Sequence, residues 1–420
     1  MPRRRFHAGA AVCGPVDQNG PVDDEGDPAG SVGHSRLASP RRLWESVAPE
    51  LDPLSRHLSR SPVCARRPRR GASVTSGWSQ RPRQGSSPLQ GGGQVHIAVP
   101  TSARLQNIES FVKRISDSES PELRISLPAT YFSVHPLVLA ATAAAGIRAR
   151  QSGKDVIIDD IPDTPSCRYL QRMGLFSSLD IDPNMKVRER EAIGRFMPLR
   201  TIRTGLQLSE FAVQLPPLLH AEDHRQVEPI QYVMSELVRN TLEHAGIGYA
   251  SVVAAQVYPK SGIVSIGVAD CGRGIASSLS DAHTVATDID ALHLAMQPGV
   301  TGKTSQVGGT ADNAGAGLFF CKAMAQVSHN YLVVHSGSAM IKFLKAPATQ
   351  QVNAIYADPR FDRATRHDDL PGWPGTLVGM DIDVNSNRDF AGFMDFVRGT
   401  YATEVDSKRR SKSKKRARFE

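Results

Sequence analysis

Three short segments of the 420-residue chain carry residue types that could act on a charged ligand. In SELVRNTLEHA (235–245), Glu236, Asn240 and His244 recur at i, i+4 and i+8, so on a helix they share one face. The amide oxygen of Asn240 is a hard donor suited to magnesium and its phosphate partners. Glu236 could orient or deprotonate an attacking water. The plain alternative is a solvated helix face. In VSIGVADCGRGI (264–275), Val264, Ile266, Val268 and Asp270 fall on one face of a strand, so Asp270 ends an apolar stripe, where a carboxylate without a donor is costly. The exocyclic amine of adenine would supply that donor, and Gly272 and Gly274 would let the backbone approach a flat ring. An ordinary Asp-Cys-Gly turn is the competing reading. In DNAGAGLFFCKAMA (312–325), Gly315 and Gly317 precede an apolar helix whose first N–H groups could meet an anion. The competing reading is a loop followed by a buried helix.

These segments need elements to hold them. A long helix is expected at about 225–245, with Ile230, Val233, Met234, Leu237 and Leu242 as its buried stripe. Strands follow near 249–258 and 263–270, then a Gly-rich loop at 299–317 and a helix at about 316–328. Strands near 331–335, 339–345 and 376–384 and a helix at 387–400 complete an α/β unit over 224–400. Upstream, VHIAV (95–99), LRISL (123–127) and DVIID (155–159) read as strands, with a helical stretch at 103–115 and an Ala-rich helix opening at Pro136. Residues 94–160 therefore read as a small α/β domain. Residues 161–223 connect the two and include the strand RFMPLRTI (195–202).

Composition narrows the function classes. Hydrophobic residues make up 40% of the chain, enough for a core. No run reaches the ~18 apolar residues of a membrane-spanning helix, and the Arg-rich start lacks the apolar stretch of a signal peptide. A cytoplasmic protein is the expectation, with no membrane partner. The net charge of +8 is uneven: residues 1–93 carry 14 Arg against 8 acids, and residues 405–420 carry 8 basic residues against 2 acids. The intervening 311 residues hold 28 basic and 32 acidic residues. A nucleic-acid face is therefore confined to the ends. Residues 1–93, rich in Pro, Gly, Ser and Arg, and 401–420 are expected to be disordered. Cys13, Cys64, Cys167, Cys271 and Cys321 form no C-x-x-C pair, so neither a zinc site nor a disulfide framework is indicated. GVTGKTS (299–305) imitates a P-loop, but Gln297 stands where its first Gly belongs. Lys303 reads better as a loop lysine within reach of phosphate.

In order and spacing the three segments resemble the N box and two glycine boxes of the GHKL ATPase superfamily, which includes gyrase, histidine kinases and MutL. PGTLVGMDI (374–382) resembles the last box of that family. The resemblance covers about 224–384. It implies a Bergerat-type ATP-binding sandwich with a mixed sheet and helices on one face. It implies that Asn240 holds Mg2+ against the phosphates of ATP, and that Asp270 reads adenine with Gly272 and Gly274. The loop at 299–317 would form a lid, with Lys303, Asn313, Gly315 and Gly317 near the phosphates. Thr376 would support the adenine end. Glu236 stands at the general-base position. No helix carries a His in the context a histidine autokinase needs, so the anti-sigma-factor serine kinase branch is the nearer resemblance. Residues 95–160 loosely resemble a STAS domain, although the region around Ser133 lacks the usual Asp-Ser-Ser-Gly type of pattern. A helix-capping or turn role is expected for Ser133.

Three functions compete at this stage. The first is a regulatory protein that binds Mg–ATP and signals to a protein partner. The second is an enzyme, a serine kinase or slow ATPase. The third is a nucleotide-free scaffold that binds nucleic acid through its basic ends. A homodimer stays open in each case.

Overall fold

The computed structural model describes residues 94–118, 122–186, 195–219, 224–246, 248–306, 316–346, 355–383 and 390–416. The chain divides into two units, Met1–Leu51 and Asp52–Glu420, and all described residues belong to the second. The expected disorder of residues 1–93 lies outside the described residues.

Along the chain run β1 (Gln94–Ala98), β2 (Ser102–Ala103), α1 (Glu109–Val112), β3 (Ile115–Ser118), β4 (Glu122–Ser126), β5 (Ser133–Val134), α2 (Pro136–Gln151) and β6 (Asp155–Ile158). Then come α3 (Pro165–Arg172), α4 (Leu175–Ser178), β7 (Phe196–Ile202), α5 (Gly205–Leu219), α6 (His224–His244), β8 (Ser251–Tyr258) and β9 (Ile263–Ala269). The chain continues through α7 (Gly274–Ser280), α8 (Asp288–Ala295), α9 (Gly317–Val327), β10 (Leu332–Gly337) and β11 (Ala339–Phe343), and ends with β12 (Ala364–His367), β13 (Trp373–Asp383) and α10 (Phe390–Arg416). The architecture is mixed α and β. No helix among the described residues is long and apolar enough to cross a membrane.

The larger sheet has seven strands in the order β12-β11-β10-β13-β9-β8-β7. Every pairing in it is antiparallel, not mixed as the resemblance implied. For two pairings the reason is local: the turns at 259–262, between β8 and β9, and at Ser338, between β10 and β11, are too short for anything but antiparallel return. Mixed pairing occurs instead in the four-stranded sheet β3-β1-β4-β6. There β1 pairs antiparallel with β3, while β1–β4 and β4–β6 are parallel, the latter joined through α2.

Helix α2 determines how these parts fit. Pro136 occupies its first turn and the His135 ring caps it by accepting the Leu137 N–H, so Ser133 does not cap the helix. Ser133 pairs in β5 and accepts a hydrogen bond from Arg104 at 3.0 Å. Positions 136–146 of α2 are buried without interruption, which requires cover on all sides. One side packs on β4 and β6, the other on β8, β9 and β13. The larger sheet is thus covered on both faces, by α2 on one and by α6 and α9 on the other. Residues 94–160 share a core with the sheet. Small residues permit the approach: a Cβ on Gly267 would lie 2.2 Å from the Leu137 backbone nitrogen. Gly267→Ala is therefore expected to cost about 3 kcal/mol, read as a lowered urea midpoint.

Two further elements differ from expectation. RFMPLRTI, placed in the connecting region, is the edge strand β7, with a register shift between Met197 and Arg200 where Pro198 cannot donate to the ladder. The basic segment expected to be a disordered tail continues α10 to Arg416. Its Lys and Arg are good helix formers, uninterrupted by Pro, and suit the negative end of the helix dipole.

Candidate functional site

Helix α6 buries Ile230, Val233, Met234, Leu237 and Val238 against the sheet and α9. This fixes its other residues in rotation. Glu236 is buried, 8% exposed, and ion-paired with Arg239 one turn on. Burial pushes the Glu236 carboxyl above its ordinary range, against the opposing effect of Arg239. Asn240, one turn from Glu236, is half-buried. Burial pushes the His244 imidazole below its usual value. Lys303, expected in the lid, forms an ion pair with Glu243 of α6 at 2.8 Å.

Asp270 follows β9 directly and is buried, 4% exposed. It has protein donors, which the apolar strand alone did not predict. The Gly272 N–H donates to Oδ1 at 2.8 Å, closing an Asx turn, and the Thr241 hydroxyl of α6 donates to Oδ2 at 3.4 Å. These bonds leave acceptor capacity on a carboxylate, which offers about four lone-pair sites. Burial pushes the Asp270 pKa up to about 6, against the lowering effect of hydrogen bonds from Gly272, Thr241 and the Thr376 backbone. Strand β13 locks the turn from the other side. The Asp270 N–H donates to the Thr376 carbonyl at 3.0 Å, and Trp373 Nε1–H donates to the Asp270 carbonyl at 2.8 Å. Thr376 thus acts through its backbone. Gly272 packs so closely on the end of α6 that a Cβ would lie 2.4 Å from the Ala245 carbonyl oxygen. Gly274 opens α7 beside Ser336 and Gly375.

Gly317 brings the third segment to the first. A Cβ there would lie 2.8 Å from Glu236 Oε2, 3.0 Å from Asn240 Nδ2 and 3.5 Å from Asn240 Oδ1. The N-terminus of α9 therefore rests against Glu236 and Asn240, while Thr241, the next residue, holds Asp270. Midway along, α9 is anchored by a fully buried ion pair, Lys322 Nζ to Asp362 Oδ2 at 2.8 Å. Asn313 and Gly315 lie outside the described residues.

The chain matches no family model, no curated protein and no solved structure. Chemistry must be argued from the arrangement itself. It offers a buried acceptor with spare lone pairs, two oxygen-bearing side chains one helical turn apart, and a helix start facing them.

Sequence reasoning brought Glu236, Asn240, Asp270, Gly272 and Gly317 to one neighbourhood. It missed Thr241 and Trp373, and it quoted Gly375 within PGTLVGMDI without a role of its own. Thr241 carried a faint signal, a hydroxyl beside Asn240 within the helix pattern. Gly375 carried a stronger one, a Pro-Gly pair just inside a strand. His283, His293 and His329 stand apart: His283 Nε2 meets the Thr301 carbonyl at 2.9 Å, and His293 accepts from Arg366 at 3.2 Å.

Proposed function

We propose that the protein binds an adenine nucleotide with Mg2+ between Asp270 and Asn240, and that the bound state changes the surface offered to a protein partner. The observation that carries this reading is the contact of Gly317 with Glu236 and Asn240, in register with the Thr241–Asp270 hydrogen bond. Three segments distant in sequence meet there, each with the chemistry that one part of such a ligand needs. The Asp270 carboxylate would accept the exocyclic amine of adenine. The missing side chains of Gly272 and Gly375 let α6 and β13 close on the Asp270 turn, which would hold that carboxylate in place for the purine. The first N–H groups of α9, an eleven-residue helix, would face phosphate oxygens.

The donor set fits magnesium. Glu236 and Asn240 present a carboxylate and an amide to the same glycine, and the amide oxygen and nitrogen exchange by rotation. No cluster of three or more His, Cys, Asp or Glu able to hold a metal occurs among the described residues. Partial ligation completed by phosphate and water is the usual magnesium arrangement. Bound there, the ion would neutralise and orient phosphate oxygens. This reading keeps the GHKL resemblance, its Bergerat-type fold and the STAS-like character of 94–160 as parts of the proposal.

A thermal-shift series with ATP, GTP, ADP and no nucleotide, each with and without Mg2+, tests it. ATP with Mg2+ at about a hundred times its Kd should stabilise by about 2.7 kcal/mol, visible as several degrees in Tm. GTP should do markedly less. If no nucleotide moves Tm in either condition, the reading fails.

One observation favours a second reading, phosphoryl transfer by a serine kinase or slow ATPase. Glu236 is buried next to Gly317 with its carboxyl pKa raised, which makes it a stronger base. Glu236→Ala is then expected to lower turnover by about 10²–10⁴ with ATP still bound. Turnover unchanged in that variant would remove Glu236 from the chemistry.

A further inference from the structure

The Asp270 turn is gripped from both faces of the sheet. Thr241 reaches it from α6, and Arg148 reaches it from α2, an element of the N-terminal part of the chain. The guanidinium of Arg148 donates to the Cys271 carbonyl oxygen. That carbonyl belongs to the peptide unit whose N–H, on Gly272, donates to Asp270 Oδ1 at 2.8 Å. One peptide plane thus has a cation at its acceptor end and the buried carboxylate at its donor end.

Both local alternatives for Arg148 are filled by other means. Arg150, in the same last turn, reaches the Leu179 carbonyl and Asp180, while Arg148 points to the sheet. Its guanidinium lies 6.0 Å from the centre of the Tyr249 ring, which gives the planar group an aromatic shelf. The ring itself is set by the loop after α6, where a Cβ on Gly246 would lie 3.5 Å from Tyr249 Cδ2.

We infer that Arg148 is a positioning residue for the purine end of the site: it fixes the Cys271–Gly272 peptide so that the Gly272 N–H holds Asp270 in place for its ligand. A cation on a carbonyl polarises the amide bonded to it, so the Gly272 N–H becomes a better donor. Without it the peptide loses its hold at the carbonyl end, and the bond from its N–H to Asp270 weakens. The N-terminal part of the chain is in this way built into the site, through a residue that no site motif contains. This inference rests on the adenine assignment for its ligand, though not for its geometry.

The test uses the full-length protein and two variants. Arg148→Met keeps the apolar stem and removes the donors; Arg148→Lys restores one donor and the charge. Hydrogen exchange of the Gly272 amide, measured without nucleotide, should be about tenfold faster in Arg148→Met and intermediate in Arg148→Lys. Calorimetry should show ATP affinity about tenfold weaker in Arg148→Met, with a smaller ratio of ATP to GTP affinity and partial rescue by Lys. Loss of fold stability alone would leave that ratio unmoved. Should Arg148→Met fold poorly, Tyr249→Ala, which removes the shelf, should give the same exchange pattern at Gly272. Wild-type exchange at Gly272 in the folded variant overturns the inference, whatever nucleotide does. If the wild type binds no nucleotide, the ligand assignment fails by itself, and the exchange rates still decide the role of Arg148.

Discussion

Asp270→Asn should give a protein that is more stable near pH 7 than the parent and yet barely holds an adenine nucleotide. The stability gain follows from burial, which raises the Asp270 pKa from 3.8 to about 6. A carboxyl raised in the folded state favours folding while protonated. Its contribution is full below about pH 4 and is lost as the pH rises through about 6. At neutral pH the fold therefore carries the cost of an ionised group in an apolar setting, about 2–3 kcal/mol for a shift of this size. Asparagine removes that charge and keeps the local bonds. Its amide oxygen can accept the Gly272 N–H, and its NH2 can donate to Thr241 Oγ1, whose hydroxyl also reaches the Leu237 carbonyl at 3.3 Å. The ligand loses its acceptor, and with it about 2–3 kcal/mol, or 30- to 150-fold in affinity. Urea denaturation and calorimetry at pH 7.5 report the two effects. In the parent protein ATP affinity should fall as the pH drops through about 6, since a protonated Asp270 no longer accepts freely. A variant that binds ATP like the parent would remove Asp270 from the purine contact.

The second large effect belongs to a residue of PGTLVGMDI to which the sequence assigns no role of its own. Gly375 sits at φ +116°, a backbone region that side chains rarely enter. A Cβ there would lie 2.4 Å from the Asp270 carbonyl oxygen, 2.6 Å from Asp270 Oδ1 and 2.7 Å from the Gly272 nitrogen. Two of these are backbone atoms of the Asx turn, itself held by Trp373 and Thr376, and cannot retreat one at a time. Gly375→Ala should therefore destabilise the protein by more than about 3 kcal/mol, strain and overpacking together. The fraction that folds should bind nucleotide poorly, because the turn must shift to admit the methyl group. Gly372→Ala is the matched control: nothing lies within 4 Å of its added Cβ, and stability should hardly change. Equal stability of the two variants would show that β13 does not press on the Asp270 turn.

Much of the scaffold could be read from residue pattern. The stripe of Ile230, Val233, Met234 and Leu237 located α6, and Pro136 located the start of α2, because each signal is local to its element. Long-range facts were harder. Ser251 to Ala255 of β8 are all buried, and such an unbroken run says that both sheet faces are covered. It does not say by what. The cover on one face is α2, more than a hundred residues upstream, and Leu137 meets Gly267 only once the chain has folded. The polar residues of β12 gave no apolar period to find, since the strand is half-buried at the sheet edge. At the site, the repeat of Glu236 and Asn240 was legible because a helix makes i and i+4 neighbours. Asp270 was legible as an oddity, a charge closing an apolar stripe. The donors that satisfy it were not, since Gly272 acts through its amide and Thr241 through a distant hydroxyl.

The adenine and magnesium assignment is tested most directly by a crystal structure grown with Mg2+ and a non-hydrolysable ATP analogue. The account predicts the purine amine within hydrogen-bonding distance of the Asp270 carboxylate, the metal on the Asn240 amide oxygen, and the phosphates at the start of α9. Purine seated elsewhere, or density for the analogue absent between Asp270 and Asn240 at saturating concentration, would contradict it.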